Sequence, residues 1–186
     1  MTDLNNAKVL IISSAGFEQS ELEFPRDQLR AKGATVHVAT PDGNAIKGWD
    51  GDDWGDSADA DLKIADVRVE DYDALVLPGG QINPDVLRVN ADAIAKIKGF
   101  VEHGKIVAAI CHAPWLLIEA GVVEGREMTS YHSIRTDLKN AGAQVVDKDV
   151  AISNGIITSR SPEDLEAFVS KIAEEIREGD HARKTA

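Results

Sequence analysis

Apolar runs of strand length alternate along this chain with segments whose apolar residues recur at helical spacing. Lys8 to Ser14 (KVLIISS) is apolar without alternation, as a strand buried on both faces of a parallel sheet must be. A helical pattern with Leu22, Pro25 and Leu29 follows, with Pro25 as a bend or first-turn marker and Gly33 as its stop. Thr35 to Thr40 (TVHVAT) predicts a second strand, closed by the Pro41-Asp42-Gly43 turn signal. Tyr72 to Leu77 predicts another buried strand, running into Pro78-Gly79-Gly80. Ile94, Ile97 and Phe100 predict a helix over 91–103, stopped by Gly104.

Beyond that helix, Ile106 to Ile110 reads as a strand and Ala113 to Gly121 as a helix. A short strand at 128–130 and a helix over 133–141 follow, then strands at 143–146 and 150–153. Asn154-Gly155 before Ile156 to Ser159 is a hairpin signal. Ser161-Pro162-Glu163-Asp164 reads as a capped helix start, with the helix running to about residue 178 and a frayed tail over about 179–186. The alternation predicts a single α/β domain over 1–186, a mainly parallel sheet sandwiched by helices.

Composition changes this picture little. A chain of 186 residues with 43% hydrophobic and 28% charged residues is long enough to bury a core. A net charge of −12 disfavours nucleic acid and anionic membrane surfaces. One cysteine makes no internal disulfide, and no apolar stretch approaches a membrane span, so a cytoplasmic protein is expected. Residues 47–61 carry six aspartates and two tryptophans without either period, and read as a solvated acidic loop. As a calcium loop starting at Asp50, this stretch puts Trp54 where an oxygen ligand belongs. No metal and no cofactor is predicted. Gly99 to Lys105 imitates the start of a P-loop, but it ends a helix instead of opening one.

The chemistry concentrates at KIVAAICHAPWLLIEAG, residues 105–121. A strand ends at Cys111, small residues stand two positions before and after it, and Pro114 suits the first turn of a helix. The spacing is that of a nucleophile elbow. A thiol at a helix start has its pKa lowered, and the adjacent His112 is suited to take its proton. Read apart from its neighbours, a single cysteine is equally a small core residue. Ligands of parallel sheets gather at the carboxyl ends of strands, and the loop with Glu18, the Pro78-Gly79-Gly80 turn and Cys111 all follow strands.

Gly16-Phe17-Glu18 with Glu21-Leu22, LVLPGG at 75–80 and AICHAP at 109–114 together resemble the PfpI and parkinsonism-associated deglycase superfamily. The resemblance implies a flavodoxin-like fold of the class I glutamine amidotransferase type. By the same resemblance Cys111 is the nucleophile, His112 the general base and Glu18 the carboxyl group on the sulfur. Gly79, Gly80 and His112 would supply backbone N–H groups to an oxyanion. Asp85 of a neighbouring subunit would orient His112, which implies at least a homodimer. The implied activity is a cysteine-dependent hydrolase, peptidase-like, with a stress-protection role. Two alternatives stay open: a glyoxalase or deglycase acting on methylglyoxal or its adducts, and a redox-sensing or chaperone-like protein that uses Cys111 oxidation. The substrate is accordingly a peptide or a small aldehyde.

Overall fold

A computed structural model describes residues 4–179; the expected tail at 180–186 lies outside the described residues. In chain order the elements are β1 (Lys8–Ile12), β2 (Phe17–Glu18), α1 (Gln19–Ala31), β3 (Thr35–Thr40), β4 (Ile46–Asp50), β5 (Asp53–Ala58), β6 (Leu62–Lys63) and β7 (Ala74–Leu77). They continue with α2 (Ile82–Leu87), α3 (Ala91–Glu102), β8 (Ile106–Ile110), α4 (Pro114–Glu119), β9 (Glu127–Met128) and α5 (Arg135–Asn140). The last are β10 (Gln144–Val145), β11 (Val150–Ser153), β12 (Ile156–Ser159) and α6 (Leu165–Glu178).

Seven strands form one sheet in the order β11-β12-β8-β7-β1-β3-β6. Every pairing is parallel except β11 with β12, the hairpin turned by Asn154 and Gly155, both at positive φ. The unbroken apolar runs follow from burial on both faces, because successive side chains of a strand point in opposite directions. Val9 and Ile11 enter one core, with Leu22 and Leu29 of α1 and Phe168 and Ile172 of α6. Leu10 and Ile12 enter the other, with Ile97 and Phe100 of α3 and Leu116 and Leu117 of α4. The α/β sandwich with a mainly parallel sheet is therefore as the residue pattern implies.

The acidic stretch 47–61 departs from its expected loop. It forms the antiparallel hairpin of β4 and β5, with Gly51 at φ 65° in the turn. Trp49 and Trp54 are cross-strand partners with rings 5.5 Å apart and edge to face. Such an aromatic pair contributes about 0.5–1.5 kcal/mol beyond its buried area, which helps hold a strand pair otherwise poor in β-formers. Among the described residues, no cluster of three or more His, Cys, Asp or Glu side chains is arranged to hold a metal ion.

Two further boundaries differ. Pro25 lies within α1, on its buried face, and not in the first turn. Ser161 makes no side-chain cap; Pro162–Asp164 is a single 3-10 turn ahead of α6, and the Asp164 carboxylate instead takes both Nε and Nη2 of Arg160. Among the described residues, no helix is long and apolar enough to cross a membrane.

The loops after β1, β7 and β8 belong to three adjacent strands, so their carboxyl ends meet. Asn83, fully buried in α2, ties two of them together. Its Oδ1 accepts from the Ser14 N–H at 2.7 Å and the Ser14 hydroxyl at 3.0 Å, while its Nδ2 donates to the Pro78 carbonyl at 2.9 Å. Replacing Asn83 by Leu strands these groups in the interior, at about 1–3 kcal/mol for each buried polar group left unpaired. Denaturant titration of Asn83→Leu is expected to show stability lowered by at least about 2 kcal/mol; an unchanged midpoint would show that the two loops hold themselves.

Candidate active site

The strand β8 is apolar to Ile110, and the chain then reverses at Cys111, whose φ of 64° lies in the left-handed region. A non-glycine residue held there costs about 1–3 kcal/mol, so the surroundings must fix it. The Cys111 N–H donates to Ser159 O at 3.1 Å and its carbonyl accepts from the Tyr131 N–H at 2.9 Å. Pro114 opens α4 at once, and the thiol is left 6% exposed at the mouth of the elbow.

The carboxyl group beside the sulfur is Glu21, not Glu18. Glu18 stands just before α1 with its side chain half-buried, 3.4 Å from the Ser20 hydroxyl, and burial raises its pKa. Glu21, in the first turn, is fully buried, and its Oε2 accepts from the Gly79 N–H at 2.8 Å. The physical reason is helical phase: Glu21 shares the inward face with Leu22, Pro25 and Leu29, whereas Glu18 precedes the helix. Burial pushes the Glu21 pKa up from 4.5 to about 8, aided by the Glu18 charge and opposed by the Gly79 N–H. Its Oε1 has no hydrogen-bond partner. At neutral pH the raised pKa favours the protonated form, and the Cys111 thiol is among the groups that act on this carboxyl.

Gly79 is also corrected as an oxyanion donor, since its N–H is committed to Glu21. A Cβ at Gly79 would lie 2.6 Å from Glu21 Oε2 and 2.7 Å from Cys111 Cβ, so only glycine lets carboxyl, turn and thiol pack together. The N–H groups of Gly80 and His112 act on the sulfur. Gly80 sits at φ 77°, and a Cβ there would meet Glu18 N and Gly16 O at 2.6 Å.

Burial pushes the Cys111 thiol up, the Glu21 charge adds to this, and the Gly80 and His112 N–H groups oppose it. The lowered pKa expected from a helix start is thus outweighed by desolvation, and α4 is only six residues long. The second cause disappears whenever Glu21 is neutral. With both groups pushed towards their protonated forms, the pair holds at most one negative charge around neutrality.

His112 is buried, with Nδ1 3.2 Å from Cys111 Sγ and Nε2 3.2 Å from the Ser133 hydroxyl. Tyr131 stacks on the imidazole at 4.8 Å and Trp115 meets it edge-on at 5.3 Å. Burial, then the neighbouring His132, lowers its pKa and favours the neutral ring. Asp85 is exposed on α2 and makes no hydrogen bond to His112 within the chain. Ser133 and Tyr131 carried no signal in the sequence, whereas Glu21 had one: an acid on an otherwise apolar helical stripe.

A thiol on a strained elbow, two N–H donors, a buried carboxyl group with a raised pKa and an imidazole make a candidate cysteine-based site on a flavodoxin-like sheet. The model of the DJ-1/PfpI family matches residues 7–175, and the chain belongs to that family. It is 41% identical over 170 residues to a deglycase of Thermococcus kodakarensis, covering 91% of this chain and 99% of the relative. It is 39% identical over 162 residues to a protein of Bacillus subtilis named a putative cysteine protease, covering 87% and 93%. The crystal structure of DJ-1beta from Drosophila melanogaster superposes with a TM-score of 0.83 at 34% identity, covering 91% of this chain and 90% of that one.

The sign of one substitution reports the protonation of Glu21. If Glu21 donates to the thiolate, Glu21→Leu raises the midpoint of iodoacetamide alkylation and leaves about tenfold less thiolate at a fixed pH below it, since a hydrogen bond to a charged group contributes about 1.5–3 kcal/mol. Glu21→Gln, which keeps a donor, is expected to shift the midpoint less. A midpoint that falls in Glu21→Leu would show that the carboxyl group was ionised and repelled the thiolate.

Proposed function

We propose that this protein is a cysteine-dependent enzyme that acts on small electrophilic carbonyls, methylglyoxal or its adducts, as a glyoxalase or deglycase. The observation that carries this reading is a 6% exposed thiol flanked by a buried carboxyl group that retains its proton at neutral pH. A nearly buried sulfur beside His112, whose ring is packed by Tyr131 and Trp115, suits a small carbonyl carbon better than an extended peptide. The relative named a deglycase agrees with it.

In the first step the Cys111 thiolate attacks the carbonyl carbon, a C–S bond forms, and the π electrons move to oxygen. The Gly80 and His112 N–H groups, which act on the sulfur, are the donors assigned to the developing oxyanion. The Glu21 proton neutralises it as a thiohemiacetal, which leaves Glu21 a carboxylate able to take a proton back in the next step. The PfpI-type hydrolase is the second reading, favoured by the relative named a putative cysteine protease. Assembly with a second copy is part of the proposal: Ile82, Val86 and Val89 leave an exposed apolar edge on and just after α2, beside Asp85.

Incubation of the purified protein and of Cys111→Ser with methylglyoxal, with a methylglyoxal–amine adduct and with peptide ester reporters distinguishes the readings. Methylglyoxal or its adduct is expected to be consumed, with added mass on the peptide containing Cys111, and Cys111→Ser is expected to lose roughly a thousandfold or more. Peptide turnover through an acyl-enzyme, without carbonyl turnover, would establish the hydrolase. Turnover of neither, with ready oxidation of Cys111 by peroxide, would establish the redox reading.

A further inference from the structure

An imidazole that takes a proton from a neighbouring thiol on one nitrogen carries N–H on the other both before and after the transfer. His112 Nδ1 is 3.2 Å from Cys111 Sγ, so Nε2 is the nitrogen that needs a partner for either state. That partner is the Ser133 hydroxyl at 3.2 Å. The hydroxyl oxygen can accept from Nε2–H in both states, while its own proton turns elsewhere about the C–O bond.

The segment that carries Ser133 is itself fixed to the nucleophile. Ser133 lies in the 3-10 turn His132–Ile134 that runs on into α5, and the preceding Tyr131 donates its N–H to the Cys111 carbonyl at 2.9 Å. The Tyr131 ring, 27° from parallel with the imidazole, limits rotation out of the plane. The other groups facing His112 are Cys111 with Glu21 behind it, His132 beside Tyr131, and Trp115, over whose ring the Arg88 guanidinium lies at 5.2 Å. None of them is hydrogen-bonded to Nε2.

We propose that Ser133 is a positioning residue that holds Nε2 of His112 and so keeps Nδ1 on the Cys111 sulfur within a single chain, an inference that rests on the thiol-based function above. In the step it supports, the S–H bond breaks and an Nδ1–H bond forms. The electron pair stays on sulfur, and the Nε2–H of the resulting imidazolium donates to the Ser133 oxygen. No proton leaves the Cys111–His112 pair.

Ser133 is exposed, so its truncation is expected to leave the fold intact. Iodoacetamide alkylation across pH and nitrogen-15 spectra of the His112 ring are measured in the full chain for Ser133→Ala, Ser133→Thr and Asp85→Asn. Ser133→Ala is expected to slow alkylation near neutral pH by roughly three- to tenfold, the range that one neutral hydrogen bond supports. It is also expected to shift the His112 limb of the profile and to turn one ring tautomer into a mixture. Ser133→Thr retains the hydroxyl and is expected to restore both. Unchanged profile and spectra in Ser133→Ala would overturn the proposal, as would Asp85→Asn producing these effects while Ser133→Ala does not. Neither readout needs a substrate, so an absence of carbonyl turnover would count against the proposed function and leave this test intact.

Discussion

Everything at this site depends on how a carboxyl group that has left water is held beside a thiol. Glu21 is completely buried, with a single N–H, that of Gly79, on one oxygen. Ionised, it would place a poorly solvated charge against a sulfur that also has to become an anion. Protonated, it costs far less and turns the second oxygen into a donor. The conformations around it follow from this packing: glycine at 79, because a Cβ would strike both Glu21 and Cys111, and a left-handed Cys111 that turns the chain over the carboxyl group.

The sheet delivers this arrangement with few additional residues. Loops after three adjacent parallel strands, β1, β7 and β8, end at one edge, and the Asn83 side chain joins two of them through four hydrogen bonds of 3.3 Å or less. The third is pinned by the Cys111 N–H on Ser159, the residue that ends the neighbouring strand β12. Strain at the elbow is thereby set against backbone hydrogen bonds on both sides of Cys111, whose thiol the Gly80 and His112 N–H groups act on.

The parallel sheet was legible because both-face burial writes unbroken apolar runs, as in KVLIISS and KIVAAI, and the elbow was legible from small residues around Cys111. The β4–β5 hairpin was not, since its stability draws on one Trp pair across the strands and its sequence is otherwise acidic. Choosing between Glu18 and Glu21 required the phase of α1 relative to the sheet; the apolar positions 22, 25 and 29 contain that phase, and position 21 belongs to it. Ser133 is set by tertiary proximity alone: 21 residues separate it from His112, and nothing in the spacing announces the contact.

The central claim is that Glu21 is neutral beside Cys111 at physiological pH. Labelling the glutamate carboxyl carbons with carbon-13 and assigning the Glu21 resonance by comparison with Glu21→Gln gives its titration directly. A midpoint near 8, well above the ordinary 4.5, is the result predicted. A resonance that titrates at or below 4.5, so that Glu21 is fully ionised at pH 7, would contradict the account.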